Sequence, residues 1–219
     1  MLLLLIILGT SLLGGFVMRQ LKGRMTKYAQ MPLSSELAGV EVAQIMLRDH
    51  GIDNVRVVEG KGFLTDHYDP RNRTITLSPP IFRGRSLAAA AVAAHECGHA
   101  IQHAEKYGAL QLRSALVPLV KSASMLQRVL IFAALFLFTQ FPQLMLVLVL
   151  TYVITASFSV VTLPVEFDAS KRALAWLSQS RVASPQEQPI FRDALKWAAS
   201  TYVVQALAAI AIVGFFVLS

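Results

Sequence analysis

The chain has 219 residues, 55% of them hydrophobic and only 15% charged, with 20 Lys and Arg against 13 Asp and Glu for a formal net charge of +7. A mean hydropathy of +0.55 excludes an ordinary soluble domain and points to an integral membrane protein. The one cysteine excludes an intrachain disulfide and suits a reducing compartment. The basic excess implies no nucleic-acid partner, because Lys and Arg beside membrane spans meet the anionic headgroups of the lipid bilayer.

In chain order, Met1–Met18 carries no charge and predicts a first span over residues 2–18. It lacks a basic leading region and a small-residue cleavage pattern, and Arg19, Lys22, Arg24 and Lys27 follow at once, so it reads as a retained anchor. After this basic connector, an amphipathic helix is expected over Ser35–His50, with Leu37, Val40, Ile45 and Leu47 toward one side. Ser34 or Ser35 caps its start, Gly51 its end, and His50 sits at its C-terminus. Residues 52–78 switch to β chemistry. Asn54–Val58, Gly62–Asp66 and Thr74–Ser78 predict a three-stranded meander that Ser78-Pro-Pro80 closes.

Ser86 to about Lys106 predicts one helix, opening on the small side chains of 87–94 that allow tight packing. It carries His95-Glu96-Cys97-Gly98-His99. Residues four apart on a helix lie about 40° apart around the axis and about 6 Å along it, so His95 and His99 can close on one Zn²⁺. Glu96 is then placed as a general base for the attacking water. With five His and seven Glu, chance gives such a pattern in on the order of one chain in three hundred. The alternative is an Ala-rich packing helix with two polar residues on its exposed face. Cys97 points about 200° away from His95 and reads as packing. Gly98 permits close approach of a neighbouring helix. His103 lies about 12 Å along the axis from His95, too far for the same ion, and reads as a surface or supporting residue. His67 and Tyr68, just ahead of the helix, either line a cleft and donate to a developing oxyanion or simply end a strand. Strands followed by such a helix is the zincin order, in which an edge strand can bind an extended peptide.

Val129–Val165 is a charge-free run of 37 residues, enough for two crossings when the first begins slightly earlier. Thr139-Gln-Phe-Pro-Gln143 is the turn between spans over 122–140 and 143–163, and Arg128 snorkels from the first of them. A helix over Glu166–Ser178 and a polar loop over Ser180–Gln188 follow. Pro189 then opens a last helix that runs through Trp197 into a span over 198–218. Of the 20 basic residues, 15 fall in 19–128 and 5 in 171–196, which puts both segments on the cytoplasmic side and both termini outside. Arg83, Arg85, Glu105 and Lys106 flank the His motif and argue against its lying inside a span.

The expected fold is thus mainly α and integral to the membrane. Residues 1–18 form the first transmembrane helix, 19–121 a cytoplasmic zincin-like domain with the small meander, and 122–163 a transmembrane hairpin. Residues 164–197 form a cytoplasmic helical segment and 198–219 the fourth transmembrane helix.

Catalytic zinc usually takes three protein ligands. Glu166, in Leu163-Pro-Val-Glu-Phe-Asp-Ala-Ser170, ends an apolar run where a carboxylate is costly unless it pairs or binds something. Two crossings separate it from His99 and return it to the same side. The alternative is a helix N-terminal acid stabilising the dipole after Pro164.

The chain resembles the YugP-like membrane zinc metallopeptidases of bacteria. The resemblance rests on Gly39-x-Glu41-Val42-Ala43, Leu64-Thr-Asp-His-Tyr-Asp-Pro70, Ala93-Ala-His-Glu-Cys-Gly-His-Ala-Ile-Gln102, the Leu163–Ser170 segment and Thr201-Tyr202-Val203. Its layout is also similar to the HtpX/Ste24 membrane proteases, which place a hairpin between the His motif and a Glu-x-x-x-Asp segment. The resemblance implies a bacterial inner-membrane protein with Glu166 as third ligand. Ser170 stands where the latter pattern has Asp, leaving Asp168 and Asp66 as the carboxylates able to orient a zinc-bound histidine.

The expected function is a zinc metalloendopeptidase acting on membrane or membrane-associated proteins at the cytoplasmic face. The alternative is a non-catalytic zinc-binding scaffold, associated with another membrane protease or its regulators.

Overall fold

The computed structural model describes residues 1–62, 65–137, 141 and 143–218. Phe63 and Leu64 of the expected second strand lie outside the described residues, as do positions 138–140 and 142 of the expected hairpin turn. Seven α-helices are described: α1 (Leu2–Ala29), α2 (Gly39–Asp49), α3 (Pro79–Phe82), α4 (Leu87–Ala104), α5 (Gly108–Leu137), α6 (Gln143–Gln179) and α7 (Gln188–Leu218). Three strands, β1 (Arg56–Glu59), β2 (His67–Asp69) and β3 (Thr74–Leu77), fall between α2 and α3. The protein is therefore mainly helical with a small sheet, and it has four helices long and apolar enough to cross a membrane.

Each long helix overshoots its expected span. α1 continues through Arg19–Lys27 and α5 begins at Gly108, while α7 begins at Gln188, one residue ahead of the expected Pro189. The added residues are mostly Arg, Lys, Leu, Gln, Ala and Met, good helix formers; Gly23 and Pro118 are carried inside the helices, and Gly108 and Pro189 stand in first turns, where neither breaks a helix. The separate helix expected over Glu166–Ser178 is the second half of α6, which continues through Pro164. Proline removes one hydrogen bond and costs about 3 kcal/mol in a helix interior. Burial of Val165, Ala169, Ala173 and Leu177 against the core offsets it.

The start of α2 also differs. Glu36 takes φ +57, a left-handed conformation that stops a helix from running through it. The helix starts at Gly39 instead, with the Ala38 N–H donating to Glu41 Oε2 at 2.6 Å, while Ser34 is engaged by Glu187. Gly51, at φ +65, ends α2 as expected.

The sheet is not a meander. Its order is β1-β3-β2, with β1 parallel and β2 antiparallel to β3. β3 holds the centre because Ile75 and Leu77, alternating with Thr74 and Thr76, are fully buried. The second strand forms at His67–Asp69 rather than Gly62–Asp66, which leaves β2 on the edge beside α4.

α4 is the central element, packed on α2, α6 and α7. Its Ala88, Ala89, Ala90, Ala91, Ala93 and Ala94 are all buried, and the Ser86 hydroxyl caps its start by accepting from the Ala89 N–H. Gly98 brings α6 into contact, since a Cβ there would lie 2.5 Å from the Ala169 carbonyl oxygen. Polar ties lock the periphery. Asp193 of α7 takes Arg24 at 2.8 Å and Tyr28 at 2.6 Å from α1, and Trp176 of α6 donates to Asp49 of α2 at 2.8 Å. Glu187 receives the Ser34 N–H and hydroxyl at 2.8 and 2.9 Å.

Candidate metal centre

The His95 and His99 rings lie edge to face on adjacent turns of α4, their centroids 4.8 Å apart. The Gly98–Ala169 contact puts Glu166, one turn earlier on α6, directly against them. Glu166 Oε2 is 3.2 Å from His95 Nε2 and 3.6 Å from His99 Nε2. The donor atoms of the three side chains all fall within 4.8 Å of one another, and Glu166 is 2% exposed.

The hydrogen bonds behind the histidines test whether this set suits a cation. Gln102 Nε2 donates to the Val165 carbonyl and to Asp168 Oδ2, both at 2.8 Å, so its Oε1 must be the acceptor. His99 Nδ1, 3.0 Å from that oxygen, is therefore the protonated nitrogen. The Nε2 of a neutral His99 then aims its lone pair at a carboxylate oxygen, with both side chains buried. Two acceptors facing each other there repel unless a cation lies between them. Glu166 Oε1 is also buried without a hydrogen bond, although Arg113 Nη2 of α5 stands 3.2 Å away. Two imidazoles and a carboxylate are a donor set that zinc takes readily.

Glu96 is buried beside the group. Burial pushes its carboxyl up to about 7; His95 pulls it back, and Glu166 and Asp66 push with the burial. A dication next to it favours the carboxylate and lowers that value. Cys97 is fully buried against the Ala43 carbonyl, on the far side of α4 as its position predicts.

The orienting residues are arranged differently from the sequence expectation. The Ser170 hydroxyl lies 3.2 Å from His95 Nδ1, so a serine occupies the place of an orienting carboxylate. Asp168 reaches His99 only through Gln102, and is itself held by Arg172, which in turn bonds Glu105 at 2.7 Å. Asp66 touches neither histidine; it accepts from the Ser78 N–H and hydroxyl at 2.7 and 3.0 Å and faces Glu96 electrostatically. Tyr68 bonds His103 Nδ1 at 2.7 Å, and burial pushes its phenol up to about 12, which keeps it protonated. His67 Nδ1 turns to the Thr65 carbonyl.

Two clefts meet at this centre. The larger, about 770 Å³, runs between α1, α4 and α7 and is lined by His95, Glu96, Asp66 and Tyr202 among mainly apolar residues. The smaller, about 340 Å³, lies between β2, α5 and α6 and is lined by His67, Tyr68, His99 and Arg113. Both β2 residues thus line a cleft. Sequence reasoning missed Gln102, Arg113 and Tyr202. Gln102 closes the His-motif segment and Tyr202 lies in Thr201-Tyr202-Val203, so both were visible as motif residues without an assigned task. Arg113 has no motif around it and carried no signal.

A family profile described as "Putative neutral zinc metallopeptidase" matches residues 2–219. Over 188 residues the chain is 38% identical to the "Putative membrane protease YugP" of Bacillus subtilis (strain 168), covering 86% of this chain and 83% of that protein. No solved structure matches the chain. Zinc is the metal the family implies for the His-His-Glu set, and the four apolar helices suit a membrane protease. From residue 2 to residue 219 the chain belongs to the neutral zinc metallopeptidases, hydrolases of the peptide bond.

Proposed function

We propose that this metallopeptidase is an endopeptidase of membrane and membrane-associated proteins, with His95, His99 and Glu166 as zinc ligands and Glu96 as general base. The observation that carries the reading is the convergence of two imidazole Nε2 atoms and a buried carboxylate oxygen beside a second buried carboxyl, Glu96. Zinc, when bound, supplies a Lewis acid that polarises the scissile carbonyl and lowers the pKa of water. Glu96 accepts the proton of the attacking water and delivers it to the leaving amine. Ser170 and Gln102 fix the imidazoles, and Asp168 fixes Gln102. Tyr202, protonated and on the same cleft as Glu96, donates its hydroxyl to the developing oxyanion. The open side of β2 offers backbone groups to an extended peptide.

Residues 19–121 and 164–197 work as the cytoplasmic parts, with 1–18, 122–163 and 198–219 in the lipid bilayer. The placement of all 20 Lys and Arg in the first two segments and in the first turns of the second span supports this orientation. Nearness to the bilayer favours juxtamembrane segments as substrates, and no nucleic acid takes part. The test is Glu96→Gln in the full chain, with zinc content and membrane-protein cleavage measured together. Zinc should stay and turnover should fall about 10²–10⁴-fold. A Glu96→Gln protein that cleaves at the native rate refutes the mechanism, and one that supports every cellular role of the native chain favours a zinc-binding scaffold associated with another membrane protease.

A further inference from the structure

We propose that the two clefts sort the substrate by chemistry: the smaller takes an acidic side chain on the acyl side of the scissile bond, and the larger takes apolar residues on the amine side. This rests on the reading of Glu96 as the group that carries the proton.

The smaller cleft is lined by Arg71, Arg113 and Lys121 in addition to His67 and His99, with Asp69 its one carboxylate. Asp69 is occupied by its own turn, accepting from the Arg71 N–H at 2.9 Å and Asn72 Nδ2 at 2.7 Å. Among the described residues, Arg71 and Lys121 have no ion-pair partner. Arg113 approaches only Glu166, and a dication bound to Glu166 takes up that negative charge. The loaded centre therefore has a cleft holding three cations and one committed anion. Leu110, Val117 and Phe158 give it an apolar wall beside the Tyr68 and Ser114 hydroxyls, so a carboxylate entering it loses water and gains the guanidinium.

The larger cleft is mainly apolar and its charges are mixed. Met18, Leu21, Met25, Ile81, Ala91 and Val92 line it, two of these being methionines that adapt to varied apolar shapes. Its cations Lys22 and Arg85 are matched by Asp66 and Glu96, and Arg85 pairs with Glu41 at 3.6 Å.

Chemistry fixes the direction of the chain across the divide. The proton taken by Glu96 must reach the nitrogen of the broken bond, and transfer needs that nitrogen within hydrogen-bond reach of the carboxylate. Glu96 lines the larger cleft and not the smaller one. The amine half of the substrate therefore departs through the larger cleft, and the acyl half lies past His99 toward Arg113.

The experiment uses the full-length, zinc-loaded protein in phosphatidylcholine nanodiscs and matched fluorogenic peptides. These carry Glu, Gln or Lys on the acyl side, apolar residues on the amine side, and a mirrored set reverses the order. Glu should exceed Gln in kcat/KM by on the order of tenfold, mainly through KM, with Lys lowest and the mirrored set poor. Arg71→Glu and Lys121→Glu, both at exposed positions, should bring the Glu-to-Gln ratio toward or below one. Cleavage indifferent to charge, or favouring acid on the amine side, overturns the inference while leaving the peptidase reading intact. Failure of the loaded protein to cut any peptide or membrane protein removes both. Nanodiscs containing phosphatidylglycerol should keep the preference; its loss there means that a net-anionic lipid headgroup owns the basic cleft, and the inference falls.

Discussion

Replacing Gly98 with alanine is the smallest change that should disassemble the metal centre. The added Cβ would sit 2.5 Å from the Ala169 carbonyl oxygen and 3.0 Å from its Cα, whereas ordinary contact begins near 3.4 Å, so α4 and α6 must part by about 0.9 Å. Both partners are helix backbone, which cannot swing aside. Glu166 rides on α6 one turn from Ala169 and moves with it, while metal–ligand distances tolerate only about ±0.2 Å. Stability without metal should fall by about 0–2 kcal/mol, because overpacking costs about 1–3 kcal/mol and Gly→Ala in a helix interior returns about 1. Zinc affinity should fall on the order of 100-fold, at or beyond the roughly 10–100-fold of losing one outer hydrogen-bond partner. The assay is competition against a chelating dye, together with Tm in detergent with and without zinc. Gly108→Ala is the control, since nothing lies within 4 Å of a Cβ there. Zinc binding of native strength by Gly98→Ala would refute the claim that this contact sets the geometry.

Tyr202→Phe should keep zinc and KM while lowering kcat about 10²–10³-fold, and unchanged turnover removes Tyr202 from the oxyanion. Zinc loading should release protons from Glu96, whose carboxyl sits at about 7 without metal. A folded-state value raised in this way means the group is protonated below it. The excess proton release of the native chain over Glu96→Gln should therefore be present at pH 6 and vanish as pH rises above 7; equal release by both at pH 6 counts against a buried, protonated Glu96. Cys97 is fully buried, and burial raises its thiol well above the ordinary range, so it should resist maleimide. Single cysteines can then be placed in the native background. Lys61→Cys and Ser184→Cys should label from one side of the membrane and Phe141→Cys from the other; Lys61→Cys and Phe141→Cys labelling from the same side contradicts the four-span topology.

The parts of the fold that the sequence announces are those written in a single period or a single charge pattern. Four apolar runs and the i, i+4 histidines are local properties, and the structure has helices at each of them. Where the outcome depends on partners far along the chain, local reading failed. Pro164 predicts a break, yet α6 continues because Val165, Ala169, Ala173 and Leu177 beyond it are buried. Strand order could not be read from three short runs, since the choice of β3 as centre depends on which face meets the core. The proximity of Glu166 to the histidines was legible through topology, whereas the Ser170 and Gln102 contacts were not. A hydroxyl or amide can point anywhere until the helices are docked. Arg113 is legible only in three dimensions, because an isolated arginine ahead of a span reads as an interfacial anchor.

The donor groups of the centre come from segments that α5 and the first half of α6 separate in the chain. A fragment ending before α5 has His95, Glu96 and His99 but neither Glu166 nor Tyr202. A ribosome making this protein thus releases the histidine helix long before its counterpart exists. α5 and the first half of α6 must be made before Glu166 can dock on α4, and the last helix follows later still. Competence to hydrolyse is consequently a late event of biogenesis, tied to the docking of α6 on α4 rather than to folding of the first half of the chain. The growing chain is thus without its third donor until α6 has been made, as is any fragment that stops before α5.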